Sequence, residues 1–172
     1  MKKKALFIIP PDRYNEDELN IPKDALTDAG VEVTVASTKK GEITGDGKVI
    51  TESVAIFDEE DMTQYNVIAV IGGTGTIDYL WNNQKLIDYL KDAYSKKILI
   101  SGICAGACVI AQTGLLKGRT GTCYPVENMI DELKKADVTY LTDHVVKHND
   151  IITSDGPMGA KDFGDTLVDV LN

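Results

Sequence analysis

The chain has 172 residues, 43% hydrophobic and 26% charged, an ordinary globular composition that excludes a disordered or fibrous protein. Its 18 Lys and Arg against 27 Asp and Glu leave a formal charge of −9, which argues against a nucleic-acid backbone or an anionic membrane as partner. The length suits one domain spanning residues 1–172, able to bury a core without disulfide staples.

The first apolar run, Ala5–Ile9, is followed at once by Pro10, Pro11 and Asp12. It is too short for a membrane span and has no small-residue cleavage site, so a mature cytoplasmic chain is expected. Lys4–Ile9 reads as a strand, and Glu16–Ala29 as a helix stopped by Gly30. Val31–Ala36 is an alternating strand, and Ile43–Val49 holds the hairpin turn Gly45-Asp46-Gly47. Val67–Ile71 is a buried strand entering a Gly72-Gly73-Thr74-Gly75 loop. Asn83–Tyr94 is an amphipathic helix. Lys97–Ser101 is a strand broken by Gly102, and a helix runs from about Ala105 to Thr113. Val126–Ala136 reads as helix. Val145–Lys147 and Ile151–Thr153 form a hairpin around Asn149-Asp150, and Ala160–Leu171 is the last helix. This alternation predicts an α/β fold with a mainly parallel sheet. Ligands in such folds sit beyond the carboxyl ends of the strands. The loops to inspect are therefore Pro10–Asn15, Gly72–Thr76, Gly102–Gly106 and Thr122–Pro125.

The strongest chemical signal is Gly102-Ile103-Cys104-Ala105-Gly106, set between a buried strand and a helix. This is the pattern of a nucleophile elbow with Cys at its centre. A sulfur there faces the positive end of the following helix, which predicts a lowered thiol pKa. The alternative is a small buried Cys between helix-packing glycines. The three cysteines, Cys104, Cys108 and Cys123, contain no C-x-x-C and are odd in number, so neither a disulfide framework nor zinc is indicated. With only His144 and His148 besides, no metal and no cofactor is expected. Gly72–Thr76 also reads as a phosphate cradle, but no Walker or G-x-G-x-x-G pattern accompanies it.

These segments resemble the DJ-1/PfpI superfamily: the Lys4–Ile9 strand, Glu18-Leu19-Asn20-Ile21-Pro22, the Gly72-Gly73 loop, the elbow, Leu116–Thr122 and Thr153–Pro157. The resemblance implies a flavodoxin-like three-layer α/β/α sandwich, of the kind also found in class I glutamine amidotransferases, assembled as a homodimer. It implies Cys104 as nucleophile and Glu18 as its partner. It also implies the backbone N–H groups of Gly73 and Ala105 as donors to an oxyanion. An ionised carboxylate beside a thiolate would raise the thiol pKa, whereas a protonated one lowers it by donating a hydrogen bond. A neutral Glu18 and an ionised Cys104 sharing one proton are therefore expected.

Two departures narrow the function. Protease-like and some glyoxalase-like members have a histidine immediately after the nucleophile, where this chain has Ala105; others have one before a proline, where this chain has Tyr124. His144 and His148 match neither position and read as solvated strand-end residues. A Cys–His–acid triad, and with it peptide hydrolysis, is thus not supported. Tyr124 is an accessory candidate, and Cys123 is either a resolving thiol for an oxidised Cys104 or a buried apolar Cys. Cys108 is expected to pack under the elbow, and Trp81 in the core or an interface. Two readings follow. One is an enzyme acting on small electrophiles by glyoxalase- or deglycase-like chemistry. The other is a redox-responsive stress protein or chaperone in which an oxidant converts Cys104 to a sulfenate or sulfinate.

Overall fold

The computed structural model describes residues 2–172. In its first half, β1 (Lys4–Ile8), α1 (Glu16–Asp28) and β2 (Glu32–Ser37) are followed by β3 (Gly41–Thr44), β4 (Ile50–Ser53), β5 (Ala55–Ile56) and β6 (Val67–Val70). Next come α2 (Thr74–Tyr79), α3 (Gln84–Ser95), β7 (Leu99–Ile103), α4 (Ala105–Gln112) and β8 (Thr120–Gly121). The chain ends with α5 (Glu127–Lys135), β9 (Thr139–Tyr140), β10 (Val145–His148), β11 (Ile151–Ser154) and α6 (Ala160–Leu171).

Strands that are apolar at every position need cover on both faces. Ala5–Ile8 of β1 and all of β6 are fully buried, and both lie mid-sheet in the order β10-β11-β7-β6-β1-β2-β5. All neighbours in this sheet pair parallel except β10 with β11. The strand order reverses between β1 and β6: from β1 the chain goes to β2 on one side, then returns to β6 on the other. That switch point opens a crevice at the carboxyl ends of the strands. Two helix groups flank the sheet, α1 with α6, and α2, α3 and α5 around α4. Phe7, Ile8, Ile68, Phe163 and Leu167 are completely buried in the core, each contributing about 1.5–3 kcal/mol by burial. Among the described residues no helix is long and apolar enough to cross a membrane.

Three elements differ from the sequence reading. Strand β7 continues through Gly102 to Ile103 instead of stopping at Ser101, because Gly102 keeps its place in the ladder between Val70 and Thr153. Thr74–Tyr79 is a helical turn and a half where a loop is expected. The hairpin strands reach beyond Ile43–Val49, at Gly41–Thr44 and Ile50–Ser53, and form a separate two-stranded sheet.

Candidate active site

The loops after β1, β6 and β7 converge at the switch point. The loop after β1 is held by Asn15, whose N–H donates to the Gly72 carbonyl at 2.9 Å. Asn15 also caps α1, its side chain accepting from the Glu18 N–H at 3.0 Å. The cap fixes the first helical turn, which carries the Glu18 side chain into full burial. There Oε1 accepts the Gly72 N–H at 2.9 Å, and Oε2 is buried with no conventional hydrogen-bond partner. The Cys104 thiol is the side-chain group that faces this carboxyl.

Gly72 is wedged between them. A Cβ there would collide with Glu18 Oε1 and sit 2.9 Å from the Cys104 Cβ. Gly73 has φ 130°, and its Cβ would strike the Arg13 carbonyl and lie 2.6 Å from the Asn15 nitrogen. Gly73→Ala is therefore expected to destabilise the protein by roughly 2–5 kcal/mol. The measure is a lowered urea midpoint at constant m-value; an unmoved midpoint would contradict this packing.

Cys104 sits at the corner between β7 and α4 with φ 60° and ψ −122°, a strained conformation for a side chain with a Cβ. Its N–H donates to the Ser154 carbonyl of neighbouring β11 at 2.9 Å. Gly102 and Gly106 let the chain turn this tightly, since a Cβ on Gly102 would meet the Gly106 backbone carbon at 2.7 Å. Trp81, placed in the core or an interface by sequence, packs against the core and donates its indole N–H to the Ala105 carbonyl at 2.9 Å. The first turn of α4 is thereby tied to the segment after α2.

Cys104, only 7% exposed, opens into a cavity of about 200 Å³. Asn15, Glu18, Asp46, Gly73 and Thr74 line it on the polar side. Ile77, Tyr124, Met129 and Pro157 complete the wall. Among the described residues the Gly73 N–H has no intramolecular acceptor, and the Ala105 N–H is directed at the Cys104 sulfur.

The electrostatics correct one expectation. Burial pushes the Glu18 carboxyl up to about 8, opposed by Cys104 and the Gly72 N–H, so a protonated Glu18 at neutral pH follows from desolvation. The thiol was expected to be depressed. Burial instead pushes Cys104 up, and an ionised Glu18 would push it further, with only the Ala105 N–H pulling down. One turn of helix does not outweigh the desolvation of a nearly enclosed sulfur.

The remaining sequence candidates divide. Tyr124 lines the cavity. Cys123 is fully buried beside Cys108, and Cys108 donates to the Met129 carbonyl at 3.6 Å. All three thiols are free. His144 is not simply solvated as expected: its Nδ1 lies 2.8 Å from Asp155 Oδ2, which raises its pKa. His148 Nδ1 is 3.2 Å from Thr120 Oγ1. Neither histidine lines the cavity.

The sequence reading missed Asp46, taken there only as a turn residue. Its carboxylate accepts from the Thr74 N–H at 2.9 Å and the Thr74 hydroxyl at 2.5 Å. Glu16 accepts the Gly47 and Val49 N–H groups. The β3–β4 hairpin is thus strapped over the cavity mouth. The Gly-Asp-Gly turn was the available signal, but what it reaches is not written locally.

A family model, described as the DJ-1/PfpI family, matches residues 3–170. The chain belongs to the DJ-1/PfpI family. A member of similar sequence is an uncharacterised protein of Methanocaldococcus jannaschii, 40% identical over 162 residues, 94% of this chain and 78% of that one. A glutathione-independent glyoxalase of Caenorhabditis elegans is 30% identical over 171 residues, 99% of this chain and 89% of the other. Among solved structures, a ThiJ/PfpI domain protein from Brachyspira murdochii superposes with a TM-score of 0.94. It is 24% identical, with 100% and 98% of the two chains covered, a likeness that establishes the DJ-1/PfpI fold.

Proposed function

We propose that this DJ-1/PfpI protein is a cysteine-dependent enzyme acting on small 2-oxoaldehydes such as methylglyoxal. The observation that carries the reading is the strained Cys104 opening into the same small cavity as a buried Glu18 with an unpartnered oxygen. The cavity, about 200 Å³, has room for roughly six water-sized groups at about 30 Å³ each. That suits a three-carbon carbonyl. The relative named a glyoxalase supports the same reading.

The Cys104 sulfur attacks the aldehyde carbon, and the thiol proton ends on the carbonyl oxygen, giving a hemithioacetal. Gly73 and Ala105 N–H groups meet the charge that develops on that oxygen. Glu18 in its ionised form takes the C1 proton and returns it to C2 through an enediol, ending ionised again and leaving a thioester on Cys104. Water cleaves the thioester, releasing the 2-hydroxy acid and the thiol. The balance is one 2-oxoaldehyde plus one water to one 2-hydroxy acid, with no oxidant. The raised carboxyl leaves the ionised Glu18 in the minority at neutral pH, and this together with the raised thiol implies slow turnover.

The test is methylglyoxal consumption by the purified protein with stoichiometric lactate. Absence of lactate in the face of an intact Cys104 refutes the enzyme reading. The second reading, oxidation of Cys104 by peroxide to a sulfinate, is favoured by the unpartnered Glu18 Oε2. As a protonated carboxyl it would donate to a sulfinate oxygen.

A further inference from the structure

The ionisable groups around the cavity are of one sign. Glu18 and Asp46 line it, and among the described residues no Lys, Arg or His does. Arg13, on the loop after β1, is already occupied: it holds Asp78 at 2.7 Å and Asp12 at 3.0 Å, lies over the Tyr79 ring at 5.9 Å, and reaches the Thr74 hydroxyl at 3.4 Å. Asp46 is exposed at the mouth and fixed there by two hydrogen bonds to Thr74. It is also one of the two carboxylates, with Asp17, whose fields reach Glu18. Inside, Glu18, which lines the cavity, keeps a buried Oε2 with no conventional hydrogen-bond partner.

We infer that the site selects uncharged or amine-bearing small electrophiles and rejects carboxylate-bearing ones, with Asp46 as the residue that sets this selectivity. The inference rests on Cys104 being the nucleophile of the proposed reaction. A carboxylate entering the cavity would approach a fixed like charge and meet no cation among the described residues that line it. A neutral group pays no such cost, and an ammonium finds an acceptor in Asp46. The oxyanion donors do not cancel this, because they serve the reacting oxygen beside Cys104 rather than a second charge at the rim.

Iodoacetamide and iodoacetate are nearly isosteric thiol reagents that differ by one negative charge, and both are small enough for the cavity. Their second-order rates with Cys104, read by intact mass and peptide mapping, are compared with the ratio for free cysteine. In the wild type the preference for iodoacetamide is expected to exceed that of free cysteine by roughly fivefold to tenfold at low ionic strength and to shrink in 0.5 M salt. Asp46→Asn, which keeps both hydrogen bonds to Thr74 within reach, is expected to bring the ratio within about twofold of free cysteine. Asp46→Glu is expected to retain the preference. A reactive Cys104 indifferent to reagent charge, or a ratio unmoved in Asp46→Asn, overturns the inference and leaves the nucleophile standing. A Cys104 that resists both reagents overturns the nucleophile itself, and the inference with it.

Discussion

Cys104→Ser is expected to lower methylglyoxal turnover by at least roughly a thousandfold while leaving the fold intact. Serine keeps the small Cβ substituent that the corner already tolerates, and the Cys104 N–H bond to the Ser154 carbonyl does not involve the side chain. What it loses is the polarisable sulfur, a better nucleophile and a stronger acid than a hydroxyl in the same place. A hydroxyl in the same enclosed position has no histidine to activate it, since neither His144 nor His148 lines the cavity. Steady-state assay with lactate detection, alongside circular dichroism to confirm folding, checks both halves. A Ser variant that retains a tenth of wild-type turnover would remove Cys104 from the mechanism.

The second large effect is on stability. The Glu18 carboxyl stands at about 8 in the folded protein against an ordinary 4.5. Below the lower value it is protonated in both folded and unfolded chains and contributes no pH dependence. Between the two values the unfolded chain has released a proton that the folded one still holds. Stability therefore falls with rising pH, by about 1.4 kcal/mol per unit. Above the folded value Glu18 ionises in place and the decline stops. Glu18→Gln abolishes this slope and keeps an amide oxygen for the Gly72 N–H. Its stability relative to wild type is expected to improve by roughly 3 kcal/mol between pH 5 and pH 7.5. Urea unfolding at the two pH values measures it, and parallel behaviour of the two proteins would rule out a neutral buried Glu18. The same variant is expected to lose roughly a hundredfold or more in turnover, because an amide cannot carry the C1 proton.

Much of this architecture is legible locally. The continuous apolar strands Ala5–Ile8 and Val67–Val70, the stop at Gly30 and the Gly-x-Cys-x-Gly corner each declare themselves within a few residues. Glu18 is different. Within the acidic run Glu16-Asp17-Glu18 nothing local distinguishes it, and its pairing with Cys104 was readable only through resemblance. The structure supplies the reason it alone turns inward, the Asn15 cap and the Gly72 N–H. Asp46 was out of reach, because its partner Thr74 is 28 residues away and belongs to another element. The direction of the Cys104 shift was misjudged for a similar reason. A helix end is visible in a sequence, whereas the desolvation that opposes it comes from the enclosed setting of the sulfur, built by elements that meet only in the fold.

The bond from the Cys104 N–H to the Ser154 carbonyl has a bearing on the order of events during synthesis. The corner is braced by a strand fifty positions downstream, and the helix that α1 packs against most closely is the last one. A growing polypeptide that has emerged as far as the cysteine therefore carries an ordinary, unbraced thiol. The strained bend is completed only when the chain is nearly finished, so a ribosome-bound fragment ending before β11 lacks the brace that holds Cys104 at its corner.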